Sequence, residues 1–362
     1  MNHTPFITRP LSIALDAVRA LAALAVLVGH AQQLGHYSGP WPFSLLFQHN
    51  AVIVFFVLSG LVIAASVDKG RTTLTSYTIA RVSRILPVAV PALVLSVLVI
   101  GIDAAIAPTP FFGEDAQGFP GRDLLFALLF LSESYQTGMP MNPPYWSLCY
   151  EIWFYALFAA ATYLTGWKRL GWIVALSALA GPNVLMLLPV WLMGVVLARL
   201  PALRALSPGP GAALVGLAIM AMYAVPYAAP ALHGLLRLAI PWKMGFSLYA
   251  LSDLILAVAI ALGFAGLRAI LPDGLRAIEA IERPVRWFAN MSFSLYLLHW
   301  PLLKLARVLR APDQGALGFV TVLIGIVVIC GAFAAVTEHR RQAFRALIER
   351  ALSGRLREPA AA

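Results

Sequence analysis

Arg19 and His30 stand eleven residues apart in an otherwise apolar run, LDAVRALAALAVLVGH over 15–30. In a helix that spacing puts both side chains within about 20° of one face and about 16–17 Å apart along the axis. A guanidinium fork holds anionic oxygens, and an imidazole moves protons near neutral pH. The pair therefore describes a cavity with an anion site at one end and a proton-transfer group at the other. The alternative is an arginine that snorkels to one interface and a histidine that sits in the opposite headgroup region. Polar groups elsewhere in the chain bear on the choice.

Four stretches supply such groups. Arg81 and Arg84, in RVSRILP, form a same-face i, i+3 fork suited to phosphate oxygens. Glu151 lies about two turns inside the apolar, aromatic run YWSLCYEIWFY, alongside Trp146 and Ser147, and a carboxylate there either protonates or finds a partner. In SFSLYLLHWP, Ser292, Leu295 and His299 share one face beside Tyr296. In FFVLSG, Ser59 and Gly60 permit a close backbone approach, expected against the first helix. Asp103 and Asp253 also sit in or beside apolar runs and receive no role from the sequence.

The elements that position these groups are membrane helices. The chain is 60% hydrophobic and only 12% charged, more apolar surface than a soluble domain needs. The reading is an all-α, polytopic membrane protein with about ten transmembrane helices. They lie near 12–33, 45–66, 87–107, 144–165, 169–181, 182–199, 211–229, 247–267, 289–309 and 315–337, with Gly181-Pro182 dividing the fifth from the sixth. Pro87 is expected to open the third. The LLFALLFLSES portion of 108–143 is too short to span and predicts a short outer half-helix. Residues 1–338 form the transmembrane domain and 339–362 a basic amphipathic tail that meets anionic lipid.

Charge follows this topology. With the N-terminus inside, the outer side holds Arg122, Arg237, Lys243, Lys304, Arg307 and Arg310, and the other 20 of 26 Lys and Arg residues are cytoplasmic. Both termini are therefore expected in the cytoplasm, and the net charge of +10 reflects orientation rather than nucleic-acid binding. Cys149 and Cys330 lie in apolar segments, so neither a disulfide framework nor a metal site is expected.

In order and spacing, Arg-x10-His at 19–30, FFVLSG at 55–60, R-x-x-R-x-x-P at 81–87, WSLCYEIWFY at 146–155 and SFSLYLLHWP at 292–301 resemble the integral-membrane acyltransferase-3 family. The resemblance spans about 300 residues. It implies an O-acyltransferase core that uses cytoplasmic acyl-CoA, acetyl-CoA by family frequency, as donor substrate, with no tightly bound cofactor. It implies His30 as the essential catalytic residue, Arg19 as its motif partner, Arg81 and Arg84 in acyl-CoA use, and Glu151 as the motif acid. The second acid usual after that Glu is Ile152 here, which removes paired-carboxylate mechanisms. The acceptor is expected to be a hydroxyl of an envelope or exported glycan, and the setting a bacterial inner membrane.

On this reading His30 deprotonates the acceptor hydroxyl and Glu151 orients and stabilises its imidazole; an acyl-histidine is the mechanistic alternative. Ser59, Trp146, Ser147, Tyr296 and His299 are candidate site-lining residues. The competing class is a transporter or flippase of a lipid-linked sugar or small molecule, with His30, Glu151 and His299 as proton relays. Such a protein has no need to bind coenzyme A.

Overall fold

Thr8 starts the first helix: its hydroxyl accepts a hydrogen bond from the Leu11 N–H at 3.4 Å, and Pro10 sits in the first turn, where its missing N–H goes unmissed. The computed structural model describes residues 5–44, 46–67, 70, 72–106, 121–137, 142–309 and 315–355. In order the helices are α1 (Arg9–Gln33), α2 (Phe47–Val67), α3 (Leu74–Ile106), α4 (Gly121–Leu128), α5 (Ser132–Tyr135), α6 (Trp146–Tyr163), α7 (Gly166–Arg199), α8 (Pro208–Ala239), α9 (Ala250–Ile270), α10 (Arg276–Ala280), α11 (Glu282–Ala289), α12 (Ser292–Leu309), α13 (Gly315–Val336) and α14 (Arg341–Arg355). The protein is all-α, and among the described residues seven helices are long and apolar enough to cross a membrane. The 18-residue α6 and α12, rich in polar and aromatic side chains, fall outside that seven and are among the most enclosed.

α7 is two helices. Gly181 takes φ 77° and ψ 168°, outside helical space, and Pro182 opens the second arm with a φ suited to a first turn. Gly181 faces the Ser134 carbonyl of α5, whereas Arg199 at the far end lies over Phe158, near the end of α6 from which α7 departs. The two arms therefore run in opposite directions, meeting where the fifth and sixth spans were divided. Counted separately, they bring the helical segments from α1 to α13 to ten among the described residues, short α4, α5, α10 and α11 aside.

Two expectations are corrected. Pro87 does not begin the third span: α3 starts thirteen residues earlier, at Leu74, and passes through Pro87 and Pro91. Thr73 and Ser76 cap that start reciprocally, the Ser76 N–H donating to Thr73 Oγ1 at 3.2 Å and the Thr73 N–H to Ser76 Oγ at 2.9 Å. Packing carries the helix on past its prolines. At 33 residues α3 is about 50 Å long, and Arg81 and Arg84 lie within its first eleven residues. Gly60, second, packs on the second arm of α7 rather than on α1. Any Cβ there would strike the Trp191 carbonyl, and Gly194 meets the Val57 carbonyl in the same way.

The segment after the third span forms two short helices, α4 and α5, where a single half-helix was expected. The turn between α4 and α5 is pinned to α6 by Trp153 Nε1–H donating to the Phe130 carbonyl at 3.0 Å. Glu114 and Asp115 lie outside the described residues, as do Lys69, Arg71, Arg310 and Arg357. The basic tail is helical as α14 over Arg341–Arg355.

Candidate functional site

Pro301 organises one wall. Lacking an N–H, it leaves the Leu297 carbonyl, four residues earlier, without its helical donor. Asn142 Nδ2 fills that place at 2.9 Å, fixing the turn that leads into Trp146 against α12. Tyr296 reaches the same turn, donating to the Pro144 carbonyl at 2.8 Å and pairing with Ser147 Oγ at 2.7 Å.

Next to Tyr296 along α12 stands the partner of His30. His30 Nδ1 and His299 Nε2 are 2.8 Å apart, with ring centroids 5.1 Å apart and planes within 6°, so the rings meet edge to edge in nearly one plane. His299 Nδ1 lies 3.0 Å from the Leu295 carbonyl, which can only accept, so Nδ1 carries the hydrogen and Nε2 a lone pair. His30 must then donate from Nδ1, and its Nε2 is left with a lone pair and no hydrogen bond among the described residues. Trp300 packs edge-on to His30 at 4.9 Å and closes its other side.

His30 lines a cavity of about 190 Å³ with Gln33, His49, Trp146, Tyr296 and Trp300. A second cavity, of about 70 Å³, contains Arg19, Arg81, Arg84, Ser59, Ser147 and Glu151. The two share Val52 and Tyr296 as lining residues. Arg19 and Arg84 also line a third, smaller space with Asn290, Glu338 and Arg341. A file of three spaces thus runs from the start of α14 to His30.

The arginines are held but not saturated. Asp16 accepts from Arg19 Nη2 at 2.9 Å and from Arg286 at 3.1 Å, while Arg19 Nε and Arg81 Nε are buried without a partner among the described residues. The Arg81 guanidinium stands over the rings of Tyr77 and Tyr155 at 5.9 and 5.7 Å. Tyr155 in turn pairs with Ser59 Oγ at 3.1 Å, which also accepts from Trp191 Nε1 at 3.2 Å. Orphaned donors on guanidinium forks are groups a phosphate would satisfy.

All ten residues singled out in the sequence therefore border this file or bond to a residue that does. Their grouping differs from expectation in one respect. Glu151 belongs to the arginine cavity, and His299 occupies the place beside His30 that Glu151 was expected to fill. Height along a helix is legible from residue spacing, but rotation of α6 relative to α1 is not, and that rotation turns Glu151 toward the arginines. His49 and Asp253 escaped notice as a pair, lying 204 residues apart. The available signal was that His49, Val52, Phe56 and Ser59 fall on one helical face.

A family model described as "Acyltransferase domain" (Acyl_transf_3) matches residues 12–335. No curated protein and no solved structure matches the chain.

Proposed function

The chain belongs to the acyltransferase-3 family, and from that premise we propose that it carries an acyl group, acetyl by family frequency, from cytoplasmic acyl-CoA to a hydroxyl of an envelope or exported glycan. The observation that carries the reading is the free Nε2 of His30, presented to a cavity that meets the arginine cavity at Tyr296. The arginine end faces the cytoplasm of a bacterial inner membrane, in line with the charge bias of the loops.

Coenzyme A fits that layout by its chemistry. Its phosphates suit Arg19, Arg81 and Arg84, and would satisfy the Nε groups of Arg19 and Arg81 that lack a partner among the described residues. Its long pantetheine arm matches the rise of about 16–17 Å from Arg19 to His30. The thioester then lies by His30. The acceptor oxygen attacks the thioester carbonyl carbon as its proton passes to His30 Nε2. The C–S bond breaks, and the same proton returns from Nε2 to the departing sulfur, leaving an ester and a thiol. His299 stabilises the imidazolium between these steps by accepting from Nδ1.

Envelope glycans from cells with and without the gene, compared by mass spectrometry, test the function: the gene should add one acyl increment. His30→Ala should abolish the increment at normal membrane expression. Robust acylation by that variant would overturn the assignment.

A further inference from the structure

The mechanism above leaves one buried pair unused. Asp253, near the start of α9, is 2% exposed, and its two carboxylate oxygens lie 2.9 and 3.1 Å from Nε2 of His49. An aspartate in the bundle interior is retained only with a partner and usually with a function. With the carboxylate straddling Nε2, the hydrogen sits on Nε2 and a lone pair on Nδ1. Nδ1 makes no hydrogen bond among the described residues, and His49 lines the His30 cavity. The ring cannot swing away: Trp146 stacks on it at 5.6 Å and 10°, and Tyr249 packs at 4.4 Å. His49 is thus a second imidazole, oriented by its own acid and offering a fixed acceptor to the space His30 serves.

Resting on the function proposed above, we propose that His49 is the acceptor-binding group of that cavity and Asp253 its positioning residue. The reacting hydroxyl gives its only hydrogen to His30. Nδ1 of His49 must therefore receive a different hydroxyl or N–H of the same acceptor, which makes the acceptor a molecule with at least two such groups rather than a simple alcohol. Trp146, stacked at 4.3 Å on Phe246, supplies a flat apolar surface beside those polar contacts.

The pair also ties α2 to α9, so the test must separate binding from bracing. His49→Gln does so, since its amide nitrogen can reach Asp253 in place of Nε2 while nothing replaces the Nδ1 lone pair. Full-length variants are expressed in cells lacking the gene. Coenzyme A binding to the purified protein is measured by calorimetry, and the envelope acyl increment is followed by mass spectrometry against time after induction. The expected result for His49→Gln is coenzyme A affinity within about twofold of wild type and acylation slowed about 10- to 100-fold, the range of one lost substrate hydrogen bond at a buried site. Asp253→Asn should slow acylation similarly, because an amide able to donate to Nε2 moves the ring hydrogen onto Nδ1. Wild-type acylation by His49→Gln overturns the inference alone, and loss of both acylation and coenzyme A binding overturns it in favour of a brace. A wild-type protein that neither binds coenzyme A nor adds an increment overturns the proposed function, and this inference with it.

Discussion

Replacing His299 by Phe tests the arrangement around His30 at its most specific point. Phenylalanine keeps a flat ring against the imidazole but deletes the acceptor 2.8 Å from His30 Nδ1. In the resting enzyme that bond joins two neutral rings and contributes about 1 kcal/mol; once His30 holds the acceptor proton it becomes charge-assisted, about 2–3 kcal/mol. Only the difference, about 1–2 kcal/mol, speeds the reaction, and at 1.4 kcal/mol per decade it amounts to about 5- to 30-fold. Losing the tautomer preference adds about twofold more, if the two neutral forms become equally populated. The expected fall in kcat is therefore about 10- to 60-fold, smaller than the 10²- to 10⁴-fold typical of losing the base itself in His30→Ala. His299→Gln, whose amide oxygen can accept from Nδ1, should recover to within about fivefold of wild type. The assay is transfer of label from radiolabelled acyl-CoA into membranes of cells lacking the gene, with donor KM expected to stay unchanged. A His299→Phe enzyme within twofold of wild type would refute the tautomer argument, and a Gln variant no better than Phe would refute the hydrogen bond.

At the other end of the file, Arg81→Ala and Arg84→Ala should each weaken coenzyme A binding about 10- to 100-fold by calorimetry, with lysine restoring it only in part because it lacks the planar fork. Wild-type affinity in the double alanine variant would leave both residues to topology alone. Because Glu151 shares its cavity with three arginines, Glu151→Gln should tighten coenzyme A up to about fivefold by removing a rival for them, and leave kcat within about twofold; a collapse in kcat would return Glu151 to the chemistry of His30. Asn142→Ala strands the Leu297 carbonyl and should cost about 1–3 kcal/mol in detergent unfolding measurements. In a Pro301→Ala background, the restored N–H should reduce that loss below about 1 kcal/mol, and equal losses in both backgrounds would exclude the compensation described for α12.

The parts legible in the sequence were those governed by local rules. Gly181-Pro182 marked a reversal because positive φ and a first-turn proline are backbone requirements. Arg19 and His30 line successive cavities because eleven residues make just over three turns. Where the outcome depended on how one helix turns toward another, residue order offered no guide. His299 and Glu151 both sit on aromatic helices beside the cavities, yet only His299 faces His30. Gly60 similarly announced a close contact without naming its partner, which proved to be α7. Pro87 misled because a proline breaks an isolated helix more readily than one already held by packing.

Tyr296 and Val52, the residues common to the two larger cavities, carry no charge. Under the proposed reaction an acyl group leaves the donor outward while the acceptor's hydrogen travels inward onto sulfur. Formally one acylium equivalent is exchanged for one proton, and the phosphates never leave their end. A membrane potential does about 2.3 kcal/mol of work per elementary charge per 100 mV, but here no net charge crosses the field. The transfer is electrically silent, so a de-energised cell envelope should be decorated as fast as an energised one for as long as donor is supplied.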